Sequence, residues 1–273
     1  MSSEFSKQKQ KLEEFCSPAF IDALTDPYHV NSIVREYYAG LNGDEKIAFE
    51  DALMSWLDIE RTVLTRAEDL RLHNGISLCG KIKLTRAVGK ILAIARRFAP
   101  LRDPTNVHQN DLPTLIVLNC IGNLGAILDP TAIDFLKEEA SHCGDPNPTR
   151  GSLAAIESLS QIDLNAALDF LPIEIRGDMD FKERRSWVGD ESREFGLICY
   201  TLIVLLSWHG RSIIPKIAQR LREIPQEQKG FALRAFKGAM QHSVLEAADG
   251  RITKAAEKTA LIAQFAEGLG LAS

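Results

Sequence analysis

Several signatures of chemistry are lacking in this 273-residue chain. None of its six histidines belongs to an HExxH pair, and no two stand at i, i+4, so no helix face offers a metal site. No GxSxG, P-loop or strand-borne GxGxxG occurs; the GNLG of residues 122–125 lies inside a helical pattern. The five cysteines are odd in number and contain no CxxC, the usage of a reducing compartment in which cysteine packs as a small apolar residue. Aromatics are scarce at 7%, while alanine and leucine abound, which favours helices over sheets. The net charge of −5 leaves no overall attraction to nucleic acid or an anionic membrane. The N-terminal MSSEFSKQKQKLEEF has no apolar core, so no signal peptide is expected. The longest apolar run, Phe195 to Trp208, falls short of the roughly 20 residues of a spanning helix and reads as a buried core helix. A cytoplasmic protein without a transmembrane segment, cofactor or metal is expected.

What is present is an internal repeat. AIDFL (Ala132 to Leu136) nearly recurs as ALDFL (Ala167 to Leu171), 35 positions on. The same shift aligns Thr114 with Thr149, Leu118 with Leu153, Ile121 with Ile156, Leu124 with Leu159 and Ile127 with Ile162. Apolar matches at three-residue steps, then a break and a second cluster, describe two helices joined by a turn. Asp129 is a candidate N-cap with Pro130 at the first helical position, and Asp163 serves the second copy. A weaker third copy, 81 positions after the first, aligns Leu202, Leu205 and Trp208, then Ile213, Ile214 and Ile217. Helices are also expected at 27–41, 44–70 and 77–99. The Pro-bearing loop APLRDPTNVHQND marks a boundary near residue 110.

On this pattern, most clearly in CIGNLGAILDPTAIDFLKEEA, residues 111–223 resemble the HEAT family of helical repeats. The resemblance implies an all-α fold, a right-handed α–α superhelix of the HEAT/armadillo-like solenoid kind. The N-terminal residues 1–110 would then be degenerate repeats or a cap. The C-terminal LEAADGRITKAAEKTALIAQFAEGLGL, through Ala248-Asp249-Gly250, Ile252-Thr253, Glu257 and Leu269-Gly270-Leu271, resembles the closing helical hairpin of TerB-like tellurite-resistance proteins. That match covers about residues 225–271.

Two features suit binding. Between Arg71 and Arg102 there are eight lysines and arginines and no acid. On one helix, Lys83, Arg86, Lys90 and Arg97 would share a face opposite Leu84, Val88, Ile91, Ala95 and Phe98. Such a stripe docks an acidic protein or a phosphate backbone, or is simply balanced by acids on neighbouring helices. The polar segment before the third copy carries Arg184, Arg185 and Trp187, residue types enriched where partners bind, unless Trp187 folds back on the core. The expected function is non-catalytic binding of another protein, with a toxin-neutralising (immunity) or stress-response partner suggested by the TerB-like tail. The alternative is a HEAT-like nucleic-acid enzyme such as a DNA-base glycosylase, using the basic helix of residues 81–102 for phosphates.

Overall fold

The structure, a computed structural model, describes residues 3–16, 28–103, 110–145, 150–181, 196–242 and 255–271. Among them the chain is all-α, with no strand. It divides into two compact units, residues 1–132 and 133–273, and the loop near residue 110 lies inside the first.

In the first unit α1 (Ser3–Phe15) packs on α3 (Gly43–Trp56), and α4 (Arg66–Lys81) packs on α6 (Leu112–Ile127), as does α5 (Val88–Phe98). The remaining helix, α2 (Tyr28–Gly40), agrees with its expected span. The expected helix over 44–70 is instead broken after Trp56, and the one over 77–99 is broken at Ile82–Ala87. Both breaks have local causes. Thr65 and Glu68 form a reciprocal capping box, the Glu68 carboxylate accepting from the Thr65 N–H at 2.9 Å, so a new helix starts inside the apparent run. At the second break Lys83 takes a left-handed conformation (φ 56°), which no helix continues through.

The second unit holds α7 (Ile133–Ser141), α8 (Arg150–Ile162), α9 (Leu164–Leu168), α10 (Leu171–Phe181), α11 (Gly196–His209), α12 (Ile214–Arg220), α13 (Gln226–Gln241) and α14 (Ala255–Gly268). One core cluster gathers Leu171 and Ile175 of α10, Leu202 and Leu205 of α11, and Phe236 of α13, whose ring stacks on Phe265 of α14 at 4.1 Å. The helical run Gly196–Arg220 has the length and apolar content to cross a membrane, more than the 14 residues of its apolar stretch suggested. Its most apolar window is 61% buried within the protein, which fits the core-helix reading.

The burial pattern recurs further than residue identity does. Leu72, Gly75, Ile76 and Cys79 of α4 are buried, and 45 positions on so are Val117, Cys120, Ile121 and Leu124 of α6. A shift of 35 brings Ser152, Ala155, Ile156 and Leu159 of α8, and another 46 brings Ile198, Thr201, Leu202 and Leu205 of α11. The second helices keep register too: Ala87, Ile91 and Ala95; Ala132, Leu136 and Ala140; Ala167, Leu171 and Ile175; Ile213, Ile217 and Leu221 are all buried. The α4–α5 pair therefore carries the burial pattern of the three copies that identity matching finds. Its corner matches as well. Lys83 and Leu128 have φ of 56° and 66°, and each precedes a single 3-10 turn and a second helix; in the last pair the left-handed residue is Gly210 (φ 65°), one position past the equivalent of Leu128, and it opens the 3-10 turn itself.

Asp129 accepts from the Thr131 N–H at 2.9 Å, and Asp163 caps Ala166 at 3.1 Å, as their positions predict. Between α4 and α6 the seam is polar. The Asn119 amide donates to the His73 carbonyl (2.9 Å) and accepts from Ser77 (3.1 Å), while Asn123 donates to Asn119 (2.8 and 2.9 Å). Gly80 leaves the space that the Asn123 side chain fills; a Cβ there would overlap it.

Of the TerB-like stretch, Ala248-Asp249-Gly250 and Ile252-Thr253 lie outside the described residues. Glu257 lies in α14 and pairs with Arg211 at 2.8 Å.

Candidate functional site

The acid-free stretch meets its counter-charges on another helix. The α3 sequence GDEKIAFEDALMSW sends Ala48, Phe49, Ala52, Leu53 and Trp56 inward, which leaves Glu50 and Asp51 toward its surface. Arg86, in the 3-10 turn after Lys83, bonds Asp51 and lies 3.4 Å from Glu50. Lys90 of α5 bonds Asp58, just past α3, and reaches the Met54 carbonyl at 3.3 Å. Arg97 bonds the Ile59 carbonyl. The Tyr38 hydroxyl donates to Glu50 at 2.5 Å, and burial together with that bond pushes its pKa up to about 12.

The four expected residues are therefore not one open stripe. Lys83 sits on the left-handed corner rather than on the helix, and Arg86, Lys90 and Arg97 bind groups of their own unit. Exposed ion pairs of this kind contribute little each, about 0–1 kcal/mol, but they occupy the cations and set α5 against α3. Near the same corner the periodicity missed one contact between basic residues. Lys81 ends α4, and Arg35 of α2 donates through Nε to the Lys81 carbonyl at 3.2 Å. Arg184, Arg185 and Trp187 lie outside the described residues.

In the second unit two buried carboxylates, Glu174 and Asp178, stand one turn apart on α10. Asp178 accepts from the Ile198 N–H at 2.6 Å and Glu174 from the Thr201 hydroxyl at 2.7 Å, both on α11. Gly196 (φ 67°) admits Asp178 to the start of α11, since a Cβ would come within 2.5 Å of its carboxyl. Asp178 thus caps the start of α11, while Glu174 ties α10 to the Thr201 side chain within it. A groove of about 580 Å³ runs between α9 and α12, lined by Asn165, Asp169, Lys216, Arg220 and Glu223, with Arg220 paired to Asp169 at 2.7 Å. On α11 the exposed Trp208 donates its indole N–H to Glu157 of α8 at 2.8 Å, and His209 meets Ser160 at 3.3 Å.

Burial pushes the Cys16 thiol up to about 11 and Cys79 up to about 12, and raises Cys120 as well. These thiols stay protonated near neutral pH and pack as apolar groups. His142 stays near Asp145 (2.8 Å) at the end of α7, where a histidine interacts well with the helix dipole. Among the described residues no three His, Cys, Asp or Glu side chains are grouped to hold a metal ion.

Comparison with protein-family models, with curated proteins and with solved structures finds no match. The weight of a functional reading therefore rests on the geometry. Among the described residues that geometry includes the contact of Arg35 with the Lys81 carbonyl and an open groove in the second unit. Sequence periodicity could not find the first, a contact between residues 46 positions apart on different helices.

Proposed function

We propose that this protein is a HEAT-like helical-repeat protein that binds another protein and performs no catalysis of its own. The observation that carries the reading is the recurrence of one buried register, at i, i+3, i+4 and i+7, through α4, α6, α8 and α11, with matching second helices. A helix pair of this length cannot bury its apolar face alone and is stabilised by its neighbours, which leaves the outward residues available for recognition. Fold alone does not assign function, so the binding role rests on the exposed charges and aromatics that the repeat presents. A toxin-neutralising or stress-response partner is the narrower form, and it rests only on the TerB-like tail. Capture by the native protein in its own host tests the general form: one protein retained in stoichiometric amount supports it. The nucleic-acid enzyme reading is weakened by the contacts of Arg86, Lys90 and Arg97, which are engaged with Asp51, Asp58 and the Ile59 carbonyl. Salt-sensitive binding of duplex DNA lost on replacing Lys83, Arg86, Lys90 and Arg97 by alanine would restore it.

A further inference from the structure

The outward face of α11 carries aromatic side chains that the core does not use. Tyr200, Val204 and Trp208 recur at four-residue steps and so share a face. Trp208 is 54% exposed and Tyr200 45%, with Val204 half-buried between them. Tryptophan is mostly buried in folded proteins, so a ring left half in water marks a surface that another molecule can cover. This ring is also held in place. Its indole N–H donates to Glu157 of α8 at 2.8 Å, which fixes the edge of the ring and brings a carboxylate beside it. Among the described residues that carboxylate has no basic partner, and its second oxygen accepts no hydrogen bond. A lysine or arginine stands over Phe15, Tyr37, Tyr38 and Phe231, but among the described residues over neither Tyr200 nor Trp208. His209 supplies no cation either. Burial, and then the charge of Lys216, hold its pKa below the ordinary value, so the imidazole is uncharged near neutral pH.

We propose that Trp208 and Glu157 form a docking site for an arginine side chain on a basic segment of a partner protein. The proposal rests on the protein-binding reading above and specifies the chemistry of its partner. A guanidinium is planar, so it can lie over the indole face while its N–H groups donate to the Glu157 carboxylate. The ring face carries negative partial charge and the carboxylate a full one, so both attract the same group. A neutral or acidic segment gains from neither, and Glu157 repels a phosphate backbone. Because the bond to Glu157 already orients the indole, little side-chain freedom remains to be lost on binding. Val204 and Tyr200, one and two turns back along α11, extend the face by about 12 Å and receive the rest of the segment.

The test uses the full chain and a fluorescent octapeptide of alternating arginine and glycine, with anisotropy read at low and at physiological salt. The same peptide with lysine for arginine separates stacking from charge alone. The arginine peptide is expected to bind at low salt, to weaken as salt rises, and to bind roughly threefold more tightly than the lysine peptide. Trp208→Ala is expected to weaken it roughly fivefold, and so is Glu157→Gln, which keeps an acceptor for the indole N–H. Glu227→Gln, an equal change of charge on the exposed start of α13, is expected to change it by less than about twofold. Thermal unfolding shows whether each variant is folded, and the near-isosteric Glu157→Gln decides the matter if Trp208→Ala is not. The site assignment is overturned if Glu227→Gln matters as much as Glu157→Gln, if the lysine peptide binds as tightly as the arginine one, or if neither binds at low salt. Self-association of the native chain that disappears in Trp208→Ala, read by sedimentation, would make this face a contact between copies and overturn it too. Retention of the native partner by the Trp208→Ala, Glu157→Gln double variant would sink this site while leaving the protein-binding reading intact.

Discussion

The pentapeptides Ala132–Leu136 and Ala167–Leu171 differ in sequence at one position only, Ile133 against Leu168, yet they fold differently. Ala132 and Ala167 are both buried, as are Leu136 and Leu171, and Asp134 and Asp169 both face solvent. Phe135, however, lies within α7 and is 2% exposed, whereas Phe170 sits half-buried in the turn between α9 and α10. The cause lies outside the motif. In the first copy Leu128 turns left-handed and a 3-10 turn follows, so the helix starts at Ile133 and runs on through Lys137. In the second copy Asp163 caps at once and α9 is spent by Leu168; Pro172 then stands where the first copy has Lys137. Proline has no N–H to return to the Leu168 carbonyl, so the helix ends and restarts at Leu171 with proline in its first turn. Burial register is conserved and the backbone path is not.

The largest test of that contrast is a pair of charges. Phe135→Asp places an unpaired carboxylate in a closed core and is expected to cost about 4 kcal/mol or more, enough to unfold the second unit. Phe170→Asp can turn its carboxylate toward solvent and is expected to cost about 2 kcal/mol. Urea denaturation read by circular dichroism compares them, and equal midpoints would show the two phenylalanines to be equivalent after all. Next in size is Gly210→Ala. Its left-handed φ of 65° penalises a Cβ, with an expected loss of about 1–2 kcal/mol in the same assay. The smallest effect runs the other way: Lys83→Gly relieves the left-handed lysine, and a gain of about 0.5 kcal/mol is expected, appearing as a slightly higher Tm. A loss at Lys83 would mean that its corner is unlike that of Gly210.

The helical class, the α6 corner at Asp129-Pro130 and the second-copy cap at Asp163 were legible because each rests on residues adjacent in sequence. The Thr65–Glu68 capping box was equally local, but a continuous helical pattern across 44–70 masked it. The burial pattern that α4–α5 shares with the later pairs was hidden because it recurs without residue identity. Across the 45-residue shift, of Leu72, Gly75, Ile76 and Cys79 only Ile76 keeps its residue type, at Ile121. The basic stretch was half legible. Its charges were visible, but Glu50, Asp51 and Asp58 come from α3 and the segment after it, 32 to 36 positions from the cations they meet. Arg35 meets the end of α4 through a bond to a backbone carbonyl, which leaves no mark in a pattern of side chains.

The seam between α4 and α6 bears on how such a chain can change over time. Asn119 and Asn123 interlock with His73, Ser77 and the bare backbone of Gly80, so the halves of that joint recognise each other individually. At the matching places α8 carries Ala154 and Ser158, and α11 carries Tyr200 and Val204, so another pair spliced in would leave the amides without their partners. A chain assembled this way does not lengthen by copying a module; each joint must be inherited whole.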